Sequence, residues 1–203
     1  MNLKRLFDAG ASALGLIALS PVFAVVAVAG ALHFRGNPIH LAARVGKDGQ
    51  DFKMLKFKSL IDQTQDSSGR LLNEEDRTTG FGRFLRTTAL DELPQLVNIL
   101  KGDMSIVGPR PRAPGFHGVD YIPPAYKDIL SVRPGLTGPW QVAAIGSTEK
   151  NGTGNRLIHD LDYVRSKPSL SKDLLLMLKT LPAFIKGHDG ESLSLPHPKK
   201  LEP

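Results

Sequence analysis

Residues 9–32 carry no charge, and Pro21 interrupts the run near its middle. As one straight helix this stretch would extend roughly 36 Å, against roughly 30 Å of hydrocarbon in a bilayer. A mid-helix proline removes a backbone hydrogen bond and crowds the preceding turn, costing about 3 kcal/mol unless the helix bends. Ser20, immediately before it, has a hydroxyl able to satisfy a carbonyl freed by the bend. Lys4 and Arg5 precede the run, and Arg35, Arg44 and Lys47 follow it. Basic flanks prefer the cytoplasmic side, and here both ends are basic. Each arm, residues 9–20 and 22–32, is about 17 Å long and too short to cross alone. The expected element is therefore a helix–break–helix at Ser20-Pro21 that enters and leaves the membrane by one face. Three other readings remain open from the residues alone. They are a cleavable signal peptide ending near Ala27-Val28-Ala29, a straight membrane-spanning anchor, and a buried core helix.

The remaining length suffices for one ordinary domain with its own core. The absence of cysteine excludes a disulfide scaffold and thiolate chemistry. A net charge of +6 implies an anionic partner, which could be phospholipid, nucleotide or nucleic acid. Nucleic acid is the least expected of these, because aromatics are few and no recognition module is visible. The histidines show no metal-ligand spacing, so no zinc site is expected.

Residues 39–60 read as a β-hairpin, with Asp48-Gly49 as the turn. Its second arm alternates basic and apolar side chains from Phe52 to Lys58. That pattern fits a half-buried strand with solvated lysines, or a basic strand facing phosphates. Residues 61–76 are polar and read as a mobile excursion. Residues 119–142, rich in proline and glycine, suggest ordered loops and short helices, and Asn151-Gly152-Thr153-Gly154 suggests another loop. Residues 174–185 are strongly apolar, with Lys172, Lys179 and Lys186 on one helical face. Such a helix can lie in a membrane interface or pack on the core. The expected class is α+β, mainly helical with a small hairpin. The expected division is a membrane hairpin over 1–36, a catalytic domain over 37–186 and a disordered tail over 187–203.

Leu90-Asp91-Glu92-Leu93-Pro94 carries the strongest chemical signal. Leu93, Leu96, Val97 and Leu100 recur at helical spacing, Gly102 ends the pattern, and Pro94 is tolerated only in a first turn. This predicts a helix beginning near Asp91, with both carboxylates at its N-terminus. There Asp91 can be a simple N-cap and Glu92 a first-turn acid. The neighbourhood suggests more. Arg83 and Arg86 lie upstream, and Arg110 and Arg112 follow in the stiff loop Gly108-Pro109-Arg110-Pro111-Arg112. Carboxylates can hold Mg²⁺ and arginines can clamp phosphate, a set suited to a diphosphate.

The stretch Arg86-Thr87-Thr88-Ala89-Leu90-Asp91-Glu92-Leu93-Pro94-Gln95-Leu96, continued by Gly102-Asp103-Met104-Ser105 and Gly108-Pro109-Arg110-Pro111, resembles the bacterial sugar transferases. More narrowly, it resembles their monotopic polyprenyl-phosphate phosphoglycosyl transferases in minimal catalytic form. Lys4-Arg5 with Asp8, Ser20-Pro21, Arg44-Val45-Gly46 and Lys56-Phe57-Lys58-Ser59 agree, in order. So do Arg133-Pro134-Gly135-Leu136-Thr137-Gly138, Gln141-Val142 and Asp162-Tyr163-Val164. The resemblance runs from residue 3 to about 186. It departs at Ala43, at Lys58, and at Ala143-Ala144-Ile145, where the family usually has Asn-Gly-Arg.

The resemblance implies transfer of a sugar phosphate from a UDP-sugar to polyprenyl phosphate, at the cytoplasmic face of a bacterial inner membrane. It implies catalysis by Asp91 and Glu92 through an aspartyl-phosphosugar intermediate, with Mg²⁺ placed at Asp91. Lys56, Arg86 and Arg110 are the expected phosphate contacts. The alternative from another class is a non-catalytic, membrane-anchored partner in polysaccharide assembly or export.

Overall fold

The structure is a computed structural model that describes residues 2–114, 122–144 and 153–186. The tail over 187–203 lies outside them, as do residues 145–152.

Two helices open the chain, α1 (Leu3–Ala18) and α2 (Ser20–Phe34), bent by 65° at the single residue between them. The cause of the bend is the expected one. Pro21 sits in the first turn of α2, where its missing N–H costs nothing, and the Ser20 hydroxyl donates to the Ile17 carbonyl at 2.8 Å. No single described helix is long and apolar enough to cross a bilayer. The outer faces are apolar and open: Leu14 and Ile17 on α1 and Val25, Val28 and Leu32 on α2 are more than 60% exposed. The inner face of α1 is polar and fixed. Asp8 is buried and accepts from Ser105 Oγ at 2.8 Å and from Ile106 N–H at 3.2 Å. Arg5 donates to the carbonyls of Ile99 and Leu100. Lys4 donates to the Val107 carbonyl at 3.0 Å and pairs with Asp173. The basic flank thus serves first as a clamp onto the protein.

The hairpin forms as expected. Strands β1 (Ile39–Val45) and β2 (Asp51–Phe57) pair antiparallel in a register running from Ile39 opposite Phe57 to Val45 opposite Asp51. Asp48 and Gly49 both turn with positive φ, the conformation that made this pair a turn signal. The excursion over 61–76 departs from expectation, since it adopts a defined shape. Gln65 bridges Leu71, the Asp66 carboxylate accepts from the backbone N–H groups of Ser68 and Arg70, and Asn73 and Asp76 cap α3 (Glu74–Arg77) reciprocally.

Helix α4 (Gly80–Thr87), capped by Thr79, leads to α5 (Gln95–Lys101), which Gly102 ends in the left-handed region at φ 100. Strand β3 (Ser105–Val107) pairs in parallel with β4 (Gly135–Thr137). This pairing brings Gly135 so near that a Cβ there would meet Gly108 N at 2.1 Å. A 3₁₀ segment (Pro124–Ser131) precedes β4, and α6 (Pro139–Ala144), α7 (Thr153–Arg165) and α8 (Leu170–Lys186) follow it. Helix α7 begins inside the stretch read as a loop.

The main core joins Met54, Ile99, Met104, Ile106, Val107 and Tyr163, with Leu176 and Met177 of α8 against it. A second cluster holds Val26, Phe57 and Leu85, flanked by Leu90 and Leu93. One side of α8 packs on the core and another is open. Asp173, Leu176, Met177 and Thr180 face the protein, while Leu174, Leu175 and Leu178 are exposed beside Lys172 and Lys179.

Candidate active site

Asp91 and Glu92 do not begin α5. They occupy a separate 3₁₀ turn, Leu90–Glu92, and Pro94 takes the cap position of the helix. Thus Asp91 is not an N-cap. Ala89, just before the turn, is held at φ 54, in the left-handed region that a residue with a Cβ enters at a cost of about 1 kcal/mol or more. Leu90 and Leu93 anchor the turn in the second cluster. Between them Asp91 is turned toward a cleft of about 380 Å³ and keeps only 7% of its surface exposed.

Strand β2 brings Lys56 to the same place. Its ammonium lies 2.7 Å from Glu92 Oε1 and 3.8 Å from Asp91 Oδ2. On the basic strand, Lys56 thus lines the cleft and pairs with an acid there. Burial pushes the Asp91 carboxyl up to about 6, against the pull of Lys56; Glu92 adds to the rise and Arg86 opposes it.

The cleft is otherwise cationic: Arg44, Lys58, Arg77, Arg86 and Arg110 join Lys56, against the acids Asp62, Glu74, Asp91 and Glu92. An anion entering it meets an excess of positive charge. Arg86 lines it as expected, but is held by Glu74 at 2.7 Å, an acid from the 61–76 excursion. Arg110 also lines it, its guanidinium 4.3 Å from the centre of the Trp140 ring. Arg112 does not join them. It is buried, with Nη2 3.8 Å from Asp160 Oδ2. Arg83 is absent from the lining, and Ser20 and Pro21 belong to the helix bend. Trp140, Glu74, His40 and Asp160 were not anticipated. His40 sits opposite Lys56 on β1, its pKa lowered by burial and by the cations Arg44 and Lys56. Only Trp140 left a signal, as the single tryptophan beside a Gly-Pro helix start.

Among the described residues no group of three or more acids or histidines could hold a metal. The pair Asp91 and Glu92 nonetheless suits Mg²⁺, which binds through one or two carboxylates and completes its shell with water and substrate phosphates.

A cationic cleft around two acids fits many phosphate enzymes, so comparison with known proteins decides among them. The family model described as bacterial sugar transferase matches residues 1–187. The chain belongs to the bacterial sugar transferase family. The chain is 36% identical to the exopolysaccharide production protein ExoY of Sinorhizobium fredii, over 89% of its length and 84% of that protein. It is also 36% identical to the UDP-glucose:undecaprenyl-phosphate glucose-1-phosphate transferase of Caulobacter vibrioides, over 90% of its length and 69% of that protein. Against the UDP-N-acetylgalactosamine-undecaprenyl-phosphate N-acetylgalactosaminephosphotransferase of Aeromonas hydrophila it is 34% identical, over 91% of its length and 44% of that protein. As a sugar transferase the chain needs a site for a sugar donor, and the cleft between β2, the 3₁₀ turn and α6 is the candidate.

Proposed function

We propose that the chain transfers a sugar phosphate from a UDP-sugar to undecaprenyl phosphate, the first membrane step in assembly of a bacterial glycan. Family membership and the names of the relatives support the reaction class. One observation carries the site: a nearly buried Asp91, beside Glu92 and reached by Lys56, in a cationic cleft.

In the first step an Asp91 carboxylate oxygen bonds to the sugar-linked phosphorus as the bond from that phosphorus to the UMP oxygen breaks, releasing UMP. In the second step an oxygen of undecaprenyl phosphate bonds to the same phosphorus. The aspartyl–phosphorus bond breaks, and Asp91 is restored as a carboxylate. Two transfers replace one, with an acyl phosphate as donor between them. Lys56 keeps Asp91 available in its ionised form and holds Glu92 in place. Arg86 and Arg110 bind the diphosphate as bidentate partners. Asp91, with Glu92 beside it, would hold Mg²⁺, which supplies charge neutralisation on the diphosphate. For Arg86, binding requires release from Glu74.

The bent α1–α2 pair enters and leaves the cytoplasmic face of the inner membrane. Its exposed apolar faces, together with Leu174, Leu175 and Leu178 of α8, meet lipid. The cleft then opens where a lipid phosphate and a soluble nucleotide meet.

The test is UMP release by the membrane-embedded protein with undecaprenyl phosphate, Mg²⁺ and a panel of UDP-glucose, UDP-galactose and UDP-N-acetylgalactosamine. One donor should release UMP, and Asp91→Asn should abolish that release. Full activity in Asp91→Asn would remove Asp91 from the mechanism.

A further inference from the structure

Asp160, on α7, has no exposed surface. Among the described residues its carboxylate meets one short loop. Oδ2 accepts from the Arg110 backbone N–H at 3.3 Å and lies 3.8 Å from Arg112 Nη2. The other oxygen, Oδ1, is buried with no hydrogen-bond partner among the described residues. A buried carboxylate with one oxygen unmatched is poorly suited to stabilise a fold, because desolvation offsets much of what the ion pair returns. Burial also pushes its pKa up to about 7 despite Arg112, which shows the cost of keeping the charge there.

The position of this cost is informative. Pro109 and Pro111 have no N–H, so the Arg110 N–H is the one backbone donor between them. On either side the loop is already tied, by Gly135 N–H to the Pro109 carbonyl at 2.8 Å and by Val45 N–H to the Arg112 carbonyl at 2.8 Å. Asp160 holds the remaining point, the backbone of the residue whose side chain stacks on Trp140 in the cleft.

We propose that Asp160 is a positioning residue for the transfer reaction: one carboxylate oxygen fixes the Arg110 backbone and the Arg112 guanidinium together, and thereby aims the Arg110 side chain at the donor diphosphate. This rests on the reading of the cleft given above. Asp160 does not line the cleft, whereas Arg110 does, so its effect on the donor should pass through Arg110.

That dependence can be measured in the full chain in membranes, using the UDP-sugar selected from the panel. Asp160→Asn should raise the donor KM by about tenfold and change kcat by less than about threefold. In an Arg110→Ala background the same substitution should add less than about twofold, because the side chain it aims is gone. Trp140 is the sole tryptophan, so its emission reports the stacked guanidinium. Asp160→Asn should move that emission to the value found in Arg110→Ala. Penalties that multiply in the double variant, or unchanged KM and emission in Asp160→Asn, would overturn the proposal. If Asp160→Asn is not recovered folded, Asp160→Glu keeps the charge with a shifted oxygen. It should then show a smaller KM rise that also vanishes with Arg110→Ala, and a rise that persists there sinks the idea. A wild-type chain that releases no UMP from any donor defeats the parent reading instead, and this proposal falls with it. A defect in Asp160→Asn that ignores Arg110 defeats this proposal alone.

Discussion

Lys56 and Glu92 form an ion pair of 2.7 Å between a strand and a 3₁₀ turn that lie far apart in the chain. The same ammonium stands 3.8 Å from Asp91, so one cation governs both acids. Replacing it with an isosteric apolar group, Lys56→Met, removes the main force holding the Asp91 pKa down. UMP release at neutral pH should fall by about a hundredfold, as when a preorganised charge is removed. Lys56→Arg should retain more activity than Lys56→Met. Initial rates of UMP release check both, and equal rates in wild type and Lys56→Met would exclude Lys56 from the site.

The Asp8 carboxylate accepts from Ser105 Oγ and Ile106 N–H in a buried position. Asp8→Ala strands both donors and should cost about 2 to 4 kcal/mol of stability. Asp8→Asn, which keeps an acceptor, should cost less. Thermal unfolding in detergent reads the difference, and a Tm unchanged in Asp8→Ala would show that the polar seam between α1 and β3 does not hold the hairpin.

Asp160 predicts a pH dependence of stability with a definite sign. Its folded pKa of about 7 lies above the ordinary value of 3.8, so the folded state binds the proton more tightly than the unfolded chain. Stability contributed by this group is complete below about pH 4, and is lost as pH rises to about 7, by up to about 4 kcal/mol. Unfolding measured at pH 5 and pH 8 should therefore show a larger loss in wild type than in Asp160→Asn, which cannot titrate. Parallel curves for the two proteins would contradict the raised pKa.

The bend at Leu19, with Ser20 and Pro21 behind it, predicts a topology. A cysteine at residue 2 and another at residue 37 should be labelled from the same side of sealed membranes. Pro21→Ala with Ser20→Ala removes both devices that favour the bend, and should increase labelling of residue 2 from the opposite side. Opposite-side labelling in the otherwise unaltered chain would mean a spanning helix.

Much of this protein is local, and local order is legible in a sequence. The Ser20-Pro21 break follows from a missing N–H, the Asp48-Gly49 turn from the freedom of positive φ, and the end of α5 from Gly102. The adjacency of Asp91 and Glu92 needs no folding at all. Tertiary packing decided the rest. Whether Asp91 begins a helix or sits in a separate turn depended on Leu90 and Leu93 finding the second cluster. Arg110 and Arg112 are two residues apart and look alike, yet one faces the cleft over Trp140 and the other is buried against Asp160. Lys4 and Arg5 read as a membrane flank, and became a clamp because Asp173 and the end of α5 lie within reach. Spacing along a chain can state what a residue is able to do. Only the folded packing states which neighbour it meets, because burial and charge pairing depend on segments that the sequence places far apart.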